Sequence, residues 1–197
     1  MLKKKMLSKM LASSLAFTGT TIAESINPIM LANTCSGCHG TNGQSSGLAI
    51  PTISGLGVDY FIQIMQNYKN GKAASTVMGR LAKGYTDDDF KAMAEYYAKQ
   101  PFSVKAQEYD VAKAAAGAEL HKEYCEYCHE NGGKSAESSG TMLAGQWMKY
   151  LRFTIADLHS KKRNTNIKFM QKKLDELVKK VGEPGIENLV NFYGSYK

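Results

Sequence analysis

At 197 residues the chain is long enough for one ordinary domain or two small ones. Its formal net charge is +7, but residues 1–23 hold four lysines and no acid, so the remainder carries only +3. That balance gives nucleic-acid binding little support, although Lys161-Lys162-Arg163 is a local basic run of the kind that usually forms a solvated face. Past residue 23 no segment is apolar for the roughly 20 residues a membrane span takes.

Lys3, Lys4 and Lys5 form a basic head ahead of an uncharged apolar run from Met10 to Ala23, which ends in Thr21-Ile22-Ala23. Too short to cross a bilayer, this stretch reads as a secretory signal peptide over residues 1–23 and implies a periplasmic destination. Asn27 followed by Pro28 marks a helix start, because proline in the first turn loses no needed donor. That helix would run into Cys35-Ser36-Gly37-Cys38-His39, and a polar glycine-rich loop at Asn42 to Gly47 follows. Between Asp59 and Tyr68, Phe61, Ile64, Met65 and Tyr68 recur at helical spacing and should face a core. Asp87 to Lys99 reads as a closing helix with Phe90, Met93 and Tyr97 inward. The pattern stops at Gln100-Pro101-Phe102, where proline ends it.

A second cycle then begins. Asp110 can cap a helix that runs to Tyr124 and meets Cys125-Glu126-Tyr127-Cys128-His129. Another glycine-rich loop covers Gly132 to Gly140, and Glu187 to Tyr196 reads as the closing helix with Leu189, Phe192 and Tyr193 inward. The two Cys-x-x-Cys-His strings lie 90 residues apart, and the same offset carries Gly43 onto Gly133, Gly55 onto Gly145, Tyr60 onto Tyr150 and Phe61 onto Leu151. Beyond it the second half gains a few residues, so that Met78 pairs with Met170 and Tyr97 with Tyr193. An offset kept without a gap over this length is an internal duplication. The expected architecture is all-α: two small units, 24–104 and 105–197, with no strand pattern of useful length. Units of about 80 residues bury little apolar surface by themselves, so each needs something more for a core.

All four cysteines fall in the two strings. In Cys-x-x-Cys-His the thiols can add across the vinyl groups of a porphyrin, and the histidine that follows is then placed under the iron. Zinc or dithiol redox readings compete for the cysteines but do not explain a histidine after both pairs. The cofactor expectation is therefore two covalent haem c groups, held by Cys35 and Cys38 with His39, and by Cys125 and Cys128 with His129. Haem propionates would add roughly four negative charges and cancel the residual basicity.

A six-coordinate electron-transfer haem needs a second axial ligand, and a methionine thioether raises the potential. Met78 lies 39 residues after His39, and Met170 lies 41 after His129. This matched placement favours them over Met65 and Met93 in the first half and over His159, or an open site, in the second. Met142 and Met148 sit too close to the attachment motif. Pro51, twelve residues after His39, resembles the proline whose carbonyl orients the proximal histidine in class-I cytochromes c, beside the plainer reading of a turn proline, whereas Thr141 stands at the equivalent place in the second half. Gln146 and Trp147 could reach a propionate, or the indole could be buried between the halves. His121 reads as a surface or packing residue.

At this point the chain resembles the tandem class-I dihaem cytochromes c, and among them the cytochrome subunits of flavocytochrome c sulfide dehydrogenases. The matching segments are Ser75-Thr76-Val77-Met78-Gly79-Arg80-Leu81-Ala82-Lys83-Gly84-Tyr85, Leu143-Ala144-Gly145-Gln146-Trp147 and Lys122-Glu123-Tyr124-Cys125-Glu126-Tyr127-Cys128-His129. The likeness extends over almost the whole chain after the leader, and the Met78 segment is its specific part. It implies two class-I cytochrome c domains, with His39 and Met78 on one iron and His129 and Met170 on the other. It also implies a partner: an FAD-binding flavoprotein subunit that oxidises sulfide, in a heterodimer with this chain. A soluble acceptor such as a small cytochrome c would take the electrons onward. This chain has no Gly-x-Gly-x-x-Gly in a βαβ setting, so it would be a conduit and not catalytic on its own. Two other readings stand beside this one: a free-standing shuttle to a terminal oxidase, and a peroxidase acting at an open second haem.

Overall fold

The computed structural model describes residues 27–103, 106–135, 141–163 and 168–196. The leader read over residues 1–23 lies outside them. Ten α-helices and two short 3-10 turns, Thr41–Gly43 and Ala82–Gly84, lie among the described residues. The first half holds α1 (Pro28–Asn33), α2 (Ser36–His39), α3 (Val58–Lys69), α4 (Met78–Leu81) and α5 (Asp87–Ala98). The second holds α6 (Val111–Tyr124), the short turn α7 (Glu130–Gly133), α8 (Met148–His159), α9 (Lys168–Val181) and α10 (Glu183–Gly194). No strand occurs among the described residues; a single antiparallel bridge joins Ala73 to Arg163. The all-α expectation holds, as two helical units in tandem.

The helix starts follow from local chemistry. Asn27 Oδ1 accepts the Ile29 amide at 2.9 Å ahead of Pro28, and Asp110 Oδ1 accepts the Lys113 amide at 3.0 Å. Each satisfies a donor that the first turn leaves without an intrahelical partner. Thr86 and Asp89 form a reciprocal capping box on α5. The last helix departs from expectation, since α10 begins at Glu183 and ends at Gly194. Gly182, with φ of 69°, breaks the chain away from α9, and Pro184 is compatible with a first turn. The helices α8 and α9 and the single-turn elements α2, α4 and α7 go beyond the elements expected from the sequence.

In the first half α5 packs on α1 and α3, with Phe90, Met93 and Ala94 fully buried. Tyr97 stacks on Phe61 and donates its hydroxyl to the Ala32 carbonyl at 2.7 Å. In the second half α10 lies across α6 and buries Leu189, Val190 and Tyr193 with Met148, Leu151 and Leu177. Here Gly117 lets the two backbones approach: a Cβ on it would lie 2.8 Å from Phe192 Cβ and closer still to the Asn188 carbonyl.

The duplication is visible bond for bond. The Gly43 carbonyl accepts from Ile53 N at 2.8 Å, and the Gly133 carbonyl accepts from Leu143 N at 2.9 Å. Gly55 N donates to Tyr97 O at 2.9 Å, as Gly145 N does to Tyr193 O at 2.8 Å. Gly55 and Gly145 both turn at positive φ, 71° and 77°, which a side chain would strain.

The seam between the halves is polar and specific. The Gln146 amide accepts from Thr52 N at 2.9 Å and donates to Thr52 O at 3.0 Å, with both residues buried. Beside it Trp147 Nε1 donates to the Ser45 carbonyl at 3.1 Å. Of the two placements open for Trp147, the structure shows the one between the halves.

Candidate haem-binding sites

In the first half α1 leads through Thr34 to Cys35, and α2 carries Cys38 and His39. His39 is buried, and its Nδ1 lies 2.9 Å from the Pro51 carbonyl. A carbonyl can only accept, so Nδ1 carries the proton and the lone pair sits on Nε2. Burial holds the imidazole pKa below its ordinary value, against the opposing pull of that hydrogen bond. Met78 opens α4 and packs, half-buried, on the same core cluster as Cys35 and Tyr85. Ser75 Oγ secures this turn by accepting the Gly79 amide at 2.7 Å. The rival methionines, Met65 and Met93, are buried core residues of α3 and α5.

The second site is a cavity of about 520 Å³ whose wall includes Cys125, Cys128, His129 and Met170. Leu143, Leu151, Leu158, Leu177 and Leu189 make most of the remaining wall apolar. The size falls within the roughly 300–1,000 Å³ of sites that take cofactor-sized ligands. Met170 enters from the first turn of α9, whereas His159 ends α8 and is not part of the wall. His129 is buried, and burial first, with neighbouring His121 second, pushes its pKa down to about 4. Its Nδ1 is buried without a hydrogen-bond partner among the described residues, in contrast to His39 with Pro51. A neutral imidazole, two thiols and a thioether around an apolar cavity fit a covalently held haem.

None of the four cysteines is in a disulfide. Burial pushes the Cys35 thiol up and the Cys125 thiol up to about 11. A dithiol redox centre needs the reverse, a depressed thiol pKa. No three His, Cys, Asp or Glu side chains converge as a metal cluster among the described residues, so the zinc reading gains no geometry.

Of the two readings open for His121, surface or packing, the structure shows packing, whereas several other residues sit where local patterning did not place them. His121 is a packing residue, 2 % exposed, held between the Tyr193 hydroxyl at 2.9 Å and the Glu126 carboxylate. Glu126 in turn accepts from the Asn131 and Gly132 amides and shapes the chain after the second motif. Ile64, Gln63 and Asn67 of α3 belong to the first half yet line the second cavity. Arg163, third in the basic run, is buried at 7 % exposure, while Lys161 and Lys162 are exposed as a solvated run requires.

The Cytochrome c family pattern matches residues 24–101. The "Cytochrome subunit of sulfide dehydrogenase" of Chlorobaculum tepidum is 41% identical over 88 residues, 42% of this chain and 79% of that one. The chain belongs to the cytochrome c family. A cytochrome c4 from Pseudomonas aeruginosa is 28% identical over 141 residues, 67% of this chain and 69% of its own. The crystal structure of reduced cytochrome c4 from Pseudomonas stutzeri superposes with a TM-score of 0.74 at 22% identity, covering 86% of this chain and 97% of its own. That overlap spans both halves, and the cytochrome described here is therefore two class-I cytochrome c domains in tandem. Members of this family are electron carriers that hold haem c covalently.

Proposed function

We propose that this cytochrome carries two haems and is the electron-accepting subunit of a periplasmic sulfide dehydrogenase whose FAD lies on a separate chain. In this reading Cys35 and Cys38 hold one haem, with His39 and Met78 as axial ligands, in a domain spanning 24–104. Cys125 and Cys128 hold the other, with His129 and Met170, in a domain spanning 105–197. The observation that carries the reading is the second cavity, where two thiols, a buried neutral imidazole and a methionine share one apolar wall.

When bound, haem c supplies reversible one-electron chemistry at its iron. The chain's own residues do the rest. The Pro51 carbonyl accepts a hydrogen bond from the Nδ1–H of His39 and leaves Nε2 available to a metal. Burial keeps both imidazoles neutral, so neither needs to lose a proton at neutral pH to act as a ligand. The leucine-lined wall makes the second site apolar, which suits soft thioether ligation by Met170.

The sulfide-oxidising partner is supported by the 41% identical relative, named as a sulfide dehydrogenase subunit. A free-standing shuttle to a terminal oxidase is the second reading, supported by the cytochrome c4 relative, whose match takes in 67% of this chain against 42%. Affinity isolation of the tagged chain from its native cells separates them. A stoichiometric flavin that survives high salt is expected, and its repeated absence would leave the shuttle. The same preparation should begin at Glu24, because the leader over 1–23 would be removed on export; a retained Met1 would contradict a periplasmic location.

A further inference from the structure

Ala73 and Arg163 are 90 residues apart, which makes them equivalent positions of the duplication, and they pair with each other through their backbones. A residue that pairs with its own equivalent marks the axis relating the two halves. Tyr60 and Tyr150, also equivalent, both interact with the Arg163 guanidinium there. Arg163 Nη2 donates to the Tyr68 hydroxyl at 2.6 Å and Nη1 to Thr154 Oγ1 at 3.3 Å, with the guanidinium 5.6 Å from the centre of the Tyr68 ring. Among the described residues no ion pair joins Arg163 to a carboxylate. An arginine stays charged at any accessible pH, and a buried charge is costly without an opposite one. Three phenols solvate it in part but cancel none of its charge.

This cation lies in the wall of the second cavity together with Tyr60 and Tyr150. We infer that Arg163, with the hydroxyls of Tyr60 and Tyr150, is a carboxylate receptor that binds the propionate edge of the haem in the C-terminal half. The inference rests on the two-haem reading above. It explains why a guanidinium is buried at the seam, and it makes the halves unequal: the first half has alanine at the same position. A fixed positive charge beside one haem favours its reduced state, so the C-terminal haem has the higher potential contribution from this source.

The test is a spectroelectrochemical titration of the full-length haem-loaded chain, wild type against Arg163→Gln and Arg163→Lys. In Arg163→Gln one of two one-electron waves should lose about tenfold in electron affinity, about 59 mV, while the other stays in place. Arg163→Lys keeps the charge and should recover most of the loss, which also covers the case in which the glutamine variant fails to fold. Two haems per wild-type chain with neither wave displaced, or with both displaced equally, would overturn the inference alone. Fewer than two haems per wild-type chain would overturn the reading beneath it as well.

Discussion

Met170 and His159 lie within eleven residues of each other, yet only Met170 reaches the wall that holds His129. Met170→Ala should therefore abolish the thioether-to-iron charge-transfer band of one haem and leave the other intact. His159→Ala should leave both bands unchanged; a low-spin to high-spin change in that variant would reverse the assignment. The histidines on the opposite side show what sequence can and cannot reveal. That Pro51 would meet His39 was legible from the resemblance to class-I cytochromes c, and the 2.9 Å contact agrees with it. That His129 Nδ1 would find no equivalent partner among the described residues required coordinates. Arg163 was illegible for a different reason. Its neighbours Lys161 and Lys162 are exposed, and only Tyr68, 95 residues earlier, shows that the third cation turns inward.

Among the elements, the helix starts were the most legible because they rest on one or two residues each. Asp110→Ala removes the cap of α6 and should cost about 1 kcal/mol in chemical denaturation. Gly117→Ala, in the middle of the same helix, should cost more, about 2 kcal/mol or above, although alanine is the better helix former. The reason is the crossing with α10, where the new methyl meets Phe192 and the Asn188 carbonyl. An unchanged or raised stability would show that the crossing can relax. Local patterning left α9 unassigned although Leu174, Leu177, Val178 and Val181 recur at helical spacing; the structure packs it against α6, α8 and α10.

An ion pair between elements gives a pH-dependent check. Arg152 grips Glu187 with two bonds, at 2.8 and 2.6 Å, and so ties α8 to α10. The arginine holds the Glu187 carboxyl below its ordinary pKa. A depressed carboxyl pKa stabilises the fold above the unfolded value of about 4.3 and loses that contribution as pH falls through the folded pKa. Both groups are more than a third exposed or close to it, so screening limits the pair to about 0.5 kcal/mol. Glu187→Gln should be the less stable protein at pH 7, and the difference from wild type should close in acid. A difference that widened in acid would contradict the assignment.

At the scale of the whole molecule, hydrogen bonds between Thr52 and Gln146 and between Ser45 and Trp147 join the two halves. Gln146→Ala leaves both the amide and the carbonyl of Thr52 without their partner, and should weaken the seam by about 2 kcal/mol or more. Trp147 is the only tryptophan and sits at that seam, so its fluorescence reports the loosening directly. A red shift of its emission ahead of global unfolding is expected; one concerted transition would mean that the halves do not separate first. The duplicated plan was legible in the chain, down to Gly55 and Gly145. How the copies face each other was not, because the residues at the seam, Thr52, Gln146 and Arg163, have no matching polar partner at the repeat offset.

The central claim, two haems each under a histidine and a methionine, is tested most directly by haem content and ligation together. The chain, produced with c-type haem maturation, would be assayed by pyridine haemochrome against protein concentration and by visible to near-infrared spectroscopy. Two haems per chain, both low-spin with a thioether-to-iron band, is the predicted result. One haem per chain, or a second haem that is high-spin and takes cyanide readily, would contradict it.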